Sequence, residues 1–211
     1  MDRTALFSLS YGVFLLTAKD ESRVNGCITN TCMQVADSPA RIAISVLNGN
    51  LTCELIRKSG VFALSILDQS TKFDLIQRFG LQSGRNVDKF AGLPEPFLSD
   101  ENGLPYADKC SCAVLSARVV SAVDLGTHTL FVAELTDAKK LGATEPLTYA
   151  DYHAKVKPKP AAAASKPEKR IVGWRCKICG YEVNEPTLPA DYACPLCGHG
   201  PDDFEPIYEG E

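Results

Sequence analysis

Short apolar runs, separated by Gly, Pro, Asp and Asn, recur throughout residues 1–153. They are rich in β-branched and aromatic residues, which is typical of the strands of a barrel or a sandwich. The pattern predicts strands at residues 12–17, 24–33, 41–46, 61–66, 114–123 and 129–135. This part of the chain is therefore predicted to be mainly β.

Two stretches between the predicted strands carry apolar residues at helical spacing. One ends at Gly60, and the other runs from Ser70 to Gly80. Glycine often follows the last turn of a helix, so both stretches are predicted to be short helices. Residues 81–109 are interrupted by Gly and Pro and predict a long irregular segment, of a kind that is often functional.

The composition changes at residues 154–170, where three prolines, an alanine run and alternating lysines occur together. Because prolines interrupt helices and strands, this segment is predicted to be an extended, mobile linker. A short Ala-rich helix between the prolines is the alternative. The linker divides the chain into a domain at residues 1–153 and a small domain at residues 171–211.

The 211 residues are 45% hydrophobic and 23% charged, an ordinary globular composition. No apolar run approaches the roughly 20 residues of a membrane span, and the N-terminus lacks a signal-peptide pattern. The chain is therefore expected to be cytoplasmic, with no membrane partner. Because thiols stay reduced there, the nine cysteines are expected to be metal ligands and buried thiols rather than disulfides.

The net charge of −4 is unevenly distributed. Residues 154–170 carry six basic residues against one acidic residue, whereas residues 171–211 carry two against eight. An acidic small domain argues against nucleic-acid binding, which requires Lys and Arg for the phosphates. The charge suits steering onto a basic patch of a protein partner, and an acidic surface that only promotes solubility explains it equally well.

Four cysteines form the strongest motif of the chain. Cys176 and Cys179 make one C-x-x-C pair, and Cys194 and Cys197 make a second pair after fourteen intervening residues. Two such pairs can supply a tetrahedral shell of four thiolates, which zinc and iron both accept. Two disulfides are the weaker alternative. Either metal fits the spacing alone.

The residues around the cysteines favour iron. Each pair is followed by a glycine, which allows the positive φ of a tight turn. Four aromatic residues flank the pairs and would form an apolar shell that tunes a redox metal, although small zinc modules also pack aromatic residues. They are Trp174, Tyr181, Tyr192 and Phe204.

The segments WRCKICGY and CPLCGHGPDDFE resemble rubredoxin, and the resemblance covers nearly all of residues 171–211. It implies a single iron bound by the four cysteines, which carries one electron at a time. The segment between the pairs is shorter than in typical rubredoxins and is similar to the rubredoxin part of rubrerythrins. This departure concerns the reduction potential more than the metal.

Two polar segments of the first domain are candidates for cofactor binding. The first offers neutral donors and acceptors suited to a flavin ring edge, or is a solvent-facing strand edge; it comprises Thr29, Asn30, Thr31, Cys32, Met33 and Gln34. The second leads into a predicted helix and is an anion site or an ordinary helix cap. It comprises Ser45, Val46, Leu47, Asn48, Asn50, Leu51 and Thr52. His128 lies at a predicted turn, where a surface role and a catalytic role are both open.

Most of residues 5–150 resemble the flavin reductase family with an FMN-binding split barrel. The similarity runs through YGVFLLTAKDESRVNGCITNTCMQVADSPARIAISVLNGNLTCELIRKSGVFALSIL and GTHTLFVAEL. It implies a homodimer in which the FMN ring contacts residues 29–34 and the phosphate contacts residues 48–52. It also implies that His128 lies near the flavin or the nicotinamide, although Thr127 replaces the acidic residue of the family motif.

A flavin reductase barrel joined to a rubredoxin domain in one chain resembles the high-molecular-weight rubredoxins. This resemblance implies that electrons pass from NAD(P)H through FMN to the iron and then to a diiron flavoprotein that reduces O2 or NO. One alternative is a flavin reductase that releases reduced FMN and carries a structural zinc tail. Another is a flavoprotein whose zinc ribbon is only a docking module.

Overall fold

The structure is a computed structural model that describes residues 2–93, 97–158 and 170–209. One compact unit is Ser8–Lys157, and the second comprises Met1–Phe7 and Pro158–Glu211. We call Ser8–Lys157 the barrel unit and residues 170–209 the metal unit. Most of the predicted linker, residues 159–169, lies outside the described residues.

The strands are β1 (Phe14–Lys19), β2 (Val24–Thr29), β3 (Cys32–Asp37), β4 (Ala40–Leu47), β5 (Val61–Leu67), β6 (Leu98–Ser99), β7 (Pro105–Tyr106), β8 (Ser111–Asp124), β9 (His128–Lys140), β10 (Ile171–Cys176), β11 (Glu182–Val183) and β12 (Phe204–Tyr208). The helices are α1 (Leu51–Ser59), α2 (Phe73–Gly80) and α3 (Tyr149–Asp151), with 3₁₀ turns at Arg3–Ser8 and Pro201–Asp203 and a π-helical turn at Tyr152–Val156. None of the described helices is long and apolar enough to cross a membrane.

Seven antiparallel strands form the sheet of the barrel unit, in the order β2-β1-β5-β8-β9-β4-β3. Its two edge strands, β2 and β3, are joined by Asn30 and Thr31 alone. The sheet must therefore curl until its edges approach each other. The Ser45 N–H donates to the Thr31 carbonyl oxygen across this gap at 3.4 Å. The mainly β fold that the sequence predicts, a split barrel with short helices, is confirmed.

The barrel unit has one hydrophobic core inside the barrel and a second outside it. Phe62 and Phe131 fill the interior, which α1 covers at one end. The second core lies between the outer face of β1 and β5, helix α2 and the segment that follows it. Both faces of β1 are buried, because Leu15 belongs to the outer core and Leu16 to the inner one. This explains the continuous apolar run that begins β1.

The single strand predicted at residues 24–33 is wrong, since Asn30 and Thr31 separate β2 from β3. The Thr31 hydroxyl donates to the Asn30 side-chain oxygen at 3.0 Å, and the Thr31 N–H donates to the Thr29 hydroxyl at 3.3 Å. Such local bonds compete with strand pairing and turn the chain. The described residues of the long segment after α2 are irregular as predicted, apart from the short β6–β7 pair.

A three-stranded sheet, ordered β11-β10-β12, forms the scaffold of the metal unit. Phe204 is buried at its centre, and its ring meets the Tyr192 ring edge-on, with centroids 5.4 Å apart. Trp174 and Tyr181 pack against the same cluster. The aromatic shell that the sequence predicts is therefore present around the cysteines.

Candidate functional site: a four-cysteine metal centre and one end of the barrel

Two similar turns present the four cysteines. In the first, the Gly180 N–H donates to the Cys176 carbonyl, and in the second the Gly198 N–H donates to the Cys194 carbonyl, both at 2.8 Å. Gly180 and Gly198 have φ values of 76° and 75°, in the left-handed region that glycine adopts without strain. The glycines thus bring the second cysteine of each pair back towards the first.

The four sulfur atoms converge on one point. All lie within 4.8 Å of one another. Cys176 and Cys197 are 3.6 Å apart at Sγ, and Cys179 and Cys194 are 3.4 Å apart. The first cysteine of each pair is buried, and the second is partly exposed. This is the four-cysteine metal site that the spacing predicted.

Backbone N–H groups also point at the sulfurs. The N–H groups of Ile178 and Cys179 donate to the Cys176 sulfur. The Tyr181 N–H donates to the Cys179 sulfur, and the His199 N–H donates to the Cys197 sulfur. Such N–H···S bonds stabilise negative charge on thiolates and tune the metal that they bind.

The thiols cannot all ionise together in a site without a cation. A hydrogen bond from the Cys197 thiol lowers the pKa of Cys176 to about 5, and the same bond raises the pKa of Cys197. Burial raises the pKa of Cys179 to about 12. One thiolate is therefore favoured at the expense of its neighbours. A bound metal cation removes this conflict because it balances all four charges, so the donor set fits a soft metal.

The predicted flavin segments meet at one end of β4. Thr31 is hydrogen-bonded to Ser45, and His128 lies opposite Leu47 in the β4–β9 register. We call this region, with Asn48 just beyond it, the barrel end. The sequence identified these segments separately, and the fold brings them together. Their individual roles in cofactor binding stay predictions.

Residues 29–34 offer the barrel end mostly backbone groups. Cys32 packs against the barrel interior, which raises the pKa of its thiol to about 12, while Met33 and Gln34 are exposed. Among the described strands, β3 pairs only with β4, so alternate N–H and C=O groups of β3 face away from the sheet. These groups and the half-buried Thr29, Asn30 and Thr31 suit the heteroatoms along a flavin ring edge.

Several side chains of residues 45–52 are already engaged. Val46 and Leu51 are buried in the barrel core. The Asn50 side chain accepts the Thr52 N–H at 3.1 Å and caps α1, and the buried Thr52 hydroxyl accepts from Asn25 at 2.9 Å. The helix-cap interpretation of this segment therefore matches its contacts. Ser45 and Leu47 remain half-buried at the barrel end.

His128 begins β9 and is half-buried. Its Nδ1 lies 2.9 Å from the Thr127 hydroxyl, and burial lowers its pKa below the ordinary value of 6.5. The ring is therefore mostly neutral at neutral pH. Thr127, which stands where the family motif has an acid, gives the ring a hydrogen bond without adding a charge.

Sequence reasoning missed three residues that hold this corner together: Arg57, Asp124 and Thr129. All three bind the Asn48 side chain. Asn48 and Thr129 are 81 residues apart, so no local spacing links them. Only the pairing of β4 with β9 makes them neighbours.

Comparisons with known proteins agree with this architecture. Residues 6–157 match the flavin reductase like domain family, and residues 174–205 match the rubrerythrin rubredoxin-like domain. The chain is 37% identical to the high molecular weight rubredoxin of Moorella thermoacetica, over 98% of this chain and all of that protein. The chain is also 37% identical to a ferric-chelate reductase (NAD(P)H) of Archaeoglobus fulgidus, over 78% of this chain and 96% of that protein.

A solved structure shares the fold of the barrel unit. The flavin reductase PheA2 aligns over 70% of this chain and 93% of its own, with a TM-score of 0.56 and 30% identity. The reductase relatives support an oxidoreductase activity for this chain. Both the matched families and the resemblance predicted from the sequence lead to the same assignment. The chain belongs to the flavin reductase family, and it carries a rubredoxin-like domain with a four-cysteine metal site.

Proposed function

We propose that this protein is an electron-transfer oxidoreductase that takes electrons from NAD(P)H at a flavin and passes them through a rubredoxin-type iron to a protein partner. The observation that carries the proposal is the presence of a flavin reductase fold and a four-cysteine site in one chain. The full-length similarity to a high molecular weight rubredoxin supports it. In this proposal residues 1–153 bind the flavin, residues 154–170 link the domains, and residues 171–211 hold the iron.

FMN, when bound, couples a two-electron donor to a one-electron acceptor, because it accepts two electrons as a hydride and releases them singly. The protein holds and orients it. In this proposal the outward-facing backbone of β3, with Thr29 and Thr31, binds the ring edge. His128 lies beside the ring or the nicotinamide and, being neutral, adds a hydrogen bond rather than a charge. A mainly uncharged set of donors and acceptors suits the flavin ring, because the ring must leave water when it binds.

The metal in this proposal is iron. The N–H···S bonds to Cys176, Cys179 and Cys197 and the aromatic shell are features that tune a redox centre. A structural zinc requires less of this. The partly exposed Cys179 and Cys197 bring the site close to the surface of the metal unit, where a partner can approach.

We further propose that the barrel unit forms a homodimer. The outer face of the sheet exposes Met33 (61%) and Val123 (47%). The register places Met33 beside Ala43 and Val123 beside Leu130, so these residues share the face that continues to Leu47 and His128 at the barrel end. An apolar face with exposed residues such as Met33 and Val123 is typical of protein interfaces.

The partner in this proposal is a diiron flavoprotein that reduces O2 or NO, which suits the one-electron carrier and its acidic surface. The cytoplasm is the proposed location, supported by nine cysteines that are all free thiols. A second candidate function comes from the ferric-chelate reductase relative, which matches 78% of this chain. In that alternative the barrel unit passes electrons directly to a soluble acceptor, and the metal unit is a structural zinc module.

Metal content and rapid kinetics test the proposal together. The full chain, produced with ample iron, is expected to contain one iron per chain and to bind FMN. Stopped-flow mixing with NADH or NADPH should show loss of flavin absorbance followed by loss of ferric absorbance, and a diiron flavoprotein should reoxidise both. Stoichiometric zinc with active flavin reduction would instead support the second candidate.

A further inference from the structure

The side chain of Asn48 is completely occupied within the protein. Its Nδ2 donates to Asp124 Oδ1 at 3.2 Å and to the Gly126 carbonyl at 2.8 Å. Its Oδ1 accepts from the Arg57 guanidinium at 3.1 Å and from the Thr129 hydroxyl at 2.6 Å. An Asn amide has two N–H donors and two acceptor positions, so all four are used.

These bonds join three elements that are distant along the chain. Asn48 follows β4, Arg57 lies in the last turn of α1, and Asp124 ends β8. The Asn48 backbone N–H also donates to the Thr127 carbonyl at 2.9 Å. Asn48 therefore holds the whole β8–β9 turn, including the residue immediately before His128.

The turn is further tightened by its own bonds. Asp124 accepts the Gly126 N–H at 2.8 Å, and the Arg57 guanidinium donates to the Thr129 hydroxyl. Thr129 is 2% exposed, so its hydroxyl must find partners inside the protein. Asn48 and Arg57 are those partners. His128 is thus flanked in sequence by Thr127 and Thr129, which these bonds hold in place.

We propose that Asn48, Arg57 and Asp124 form a clamp that positions His128, and that the Asn48 side chain is not a ligand of the FMN phosphate. The catalytic use of His128 rests on the proposed function, whereas the clamp itself does not. A phosphate at Asn48 would have to displace an existing partner of its amide. It would also meet the Asp124 carboxylate, which is bound to the same Nδ2 and would repel it.

The charged groups facing the turn are Arg57 from α1 and Asp124 from β8. Strand β4 presents only Leu47 opposite His128. Burial is therefore what favours the neutral form of the ring, since a neighbouring acid would favour the protonated form instead. Loosening the clamp should expose the ring and return its titration towards that of a free histidine.

Two variants separate the clamp from a phosphate site. Asn48→Ala removes the centre of the clamp, and Asp124→Ala removes only its acceptor on the turn. The matched control is Asp137→Ala, which removes a partly exposed acid of the β8–β9 hairpin that pairs with Lys139 away from the turn. Because Asp124 is exposed, its variant retains the fold even if Asn48→Ala does not.

The first measurement compares the dissociation constants of FMN and riboflavin, which lacks the phosphate. A clamp predicts that neither Asn48→Ala nor Asp124→Ala changes the ratio of the two constants. A phosphate ligand predicts that Asn48→Ala weakens FMN binding alone by about ten-fold or more, the usual effect of losing a hydrogen bond to a charged group. Asp124→Ala would then strengthen FMN binding, because it removes a repelling charge.

The second measurement follows His128 by NMR in the flavin-free full chain, which needs no activity. The chain has three histidines, so a His128→Gln variant assigns the signal. Both clamp variants should raise the pKa of His128 towards its ordinary value, and Asp137→Ala should not. An unmoved His128 titration together with selective loss of FMN affinity would overturn the proposal.

Steady-state kinetics test whether the clamp acts through His128. Asn48→Ala is expected to lower kcat/KM for NAD(P)H by about ten-fold or more, as misplacement of an active-site group does. In a His128→Gln background the same change should cause no further loss, because the two residues act as one unit. Independent, multiplying losses would overturn the positioning role. A chain that binds no flavin would refute the proposed function and leave the NMR test of the clamp intact.

Discussion

In the metal unit, four candidate ligand atoms from two similar turns point at one centre, whereas at the barrel end most polar side chains bind one another. The sulfurs of Cys176 and Cys197 lie 3.6 Å apart. At the barrel end, the Asn48 side chain is hydrogen-bonded to the β8–β9 turn, and the Asn50 side chain caps helix α1. Their polarity maintains the shape of the site.

The two regions differ in how readily their ligand sites can be recognised from the sequence. A metal needs side-chain atoms of one kind at short spacing, so the ligands appear in the sequence as a motif. A planar cofactor can be held by backbone groups and by a surface of the right shape, which many sequences can build. At the barrel end a polar residue is therefore evidence of local architecture as much as of ligand contact.

The largest expected effect is on the metal. Cys194→Ser removes one of four soft ligands, so we expect loss of nearly all bound iron and its visible absorbance, with FMN content unchanged. Metal analysis and absorption spectroscopy measure this. Cys112→Ser is the control, because Cys112 lies in the barrel unit, where its thiol donates weakly to the Ile66 carbonyl at 3.5 Å. Loss of FMN in Cys194→Ser would show that the two sites depend on each other.

The second prediction concerns the exposed apolar face that continues to the barrel end. Met33→Lys places a charge on the exposed apolar face, so we expect the proposed homodimer to dissociate and FMN affinity to fall by about ten-fold or more, while iron content is unchanged. Light scattering and flavin titration measure the two effects. Leu98→Lys is the control at a similarly exposed position on β6. A monomer that binds FMN normally would place the flavin site within one chain.

A third change probes the segment that follows α2 in the barrel unit. The ammonium of Lys89, which is 3% exposed, donates to the carbonyls of Gly26 at 3.0 Å and Phe79 at 2.9 Å. Lys89→Met leaves both acceptors unpaired and should lower the free energy of unfolding of the barrel by about 1–3 kcal/mol. Chemical denaturation measures this, with the exposed Lys72→Met as control. No change in the metal unit is expected, and an equal loss there would contradict separate cores.

The smallest effect is the pH dependence that His128 contributes. Its pKa is lower in the folded chain than in the unfolded chain because of burial. The unfolded chain therefore binds the proton more tightly, so stability falls as the pH drops below about 6.5 towards the folded-state pKa. Unfolding of the wild-type chain and His128→Gln between pH 7.5 and about 5 measures it. The stability of His128→Gln relative to the wild type should increase as the pH falls, and parallel curves would contradict the lowered pKa.

The sequence predicted most of the fold where burial imposed a clear pattern. Strands β4, β5, β8 and β9 contain the predicted runs, because at least one face of each lies in a core. It did not predict β3, whose residues are mostly exposed and which lies at the edge of the described sheet beside β4. An edge strand with few buried residues has no periodic apolar signal.

The same reasoning explains what was found at the sites. The metal site needed only the spacing of four cysteines, and its aromatic shell was close enough in sequence to be noticed. Arg57 and Asp124 could not be recognised, since an Arg in a helix and an Asp near a Gly are ordinary surface and turn residues. Their partner, Asn48, is brought to them by pairing of β4 with β9.

The span of these contacts along the chain has a consequence for biosynthesis. The paired thiols of the metal unit are 21 and 15 residues apart, whereas the Asn48–Thr129 contact spans 81 residues. Contacts between nearby residues form faster than contacts that close long loops. On the ribosome the barrel emerges first, but it must wait for β8 and β9 before its sheet can assemble. The cysteine turns emerge after the barrel residues and need no such delay, so metal capture should follow closely on their own emergence from the ribosome.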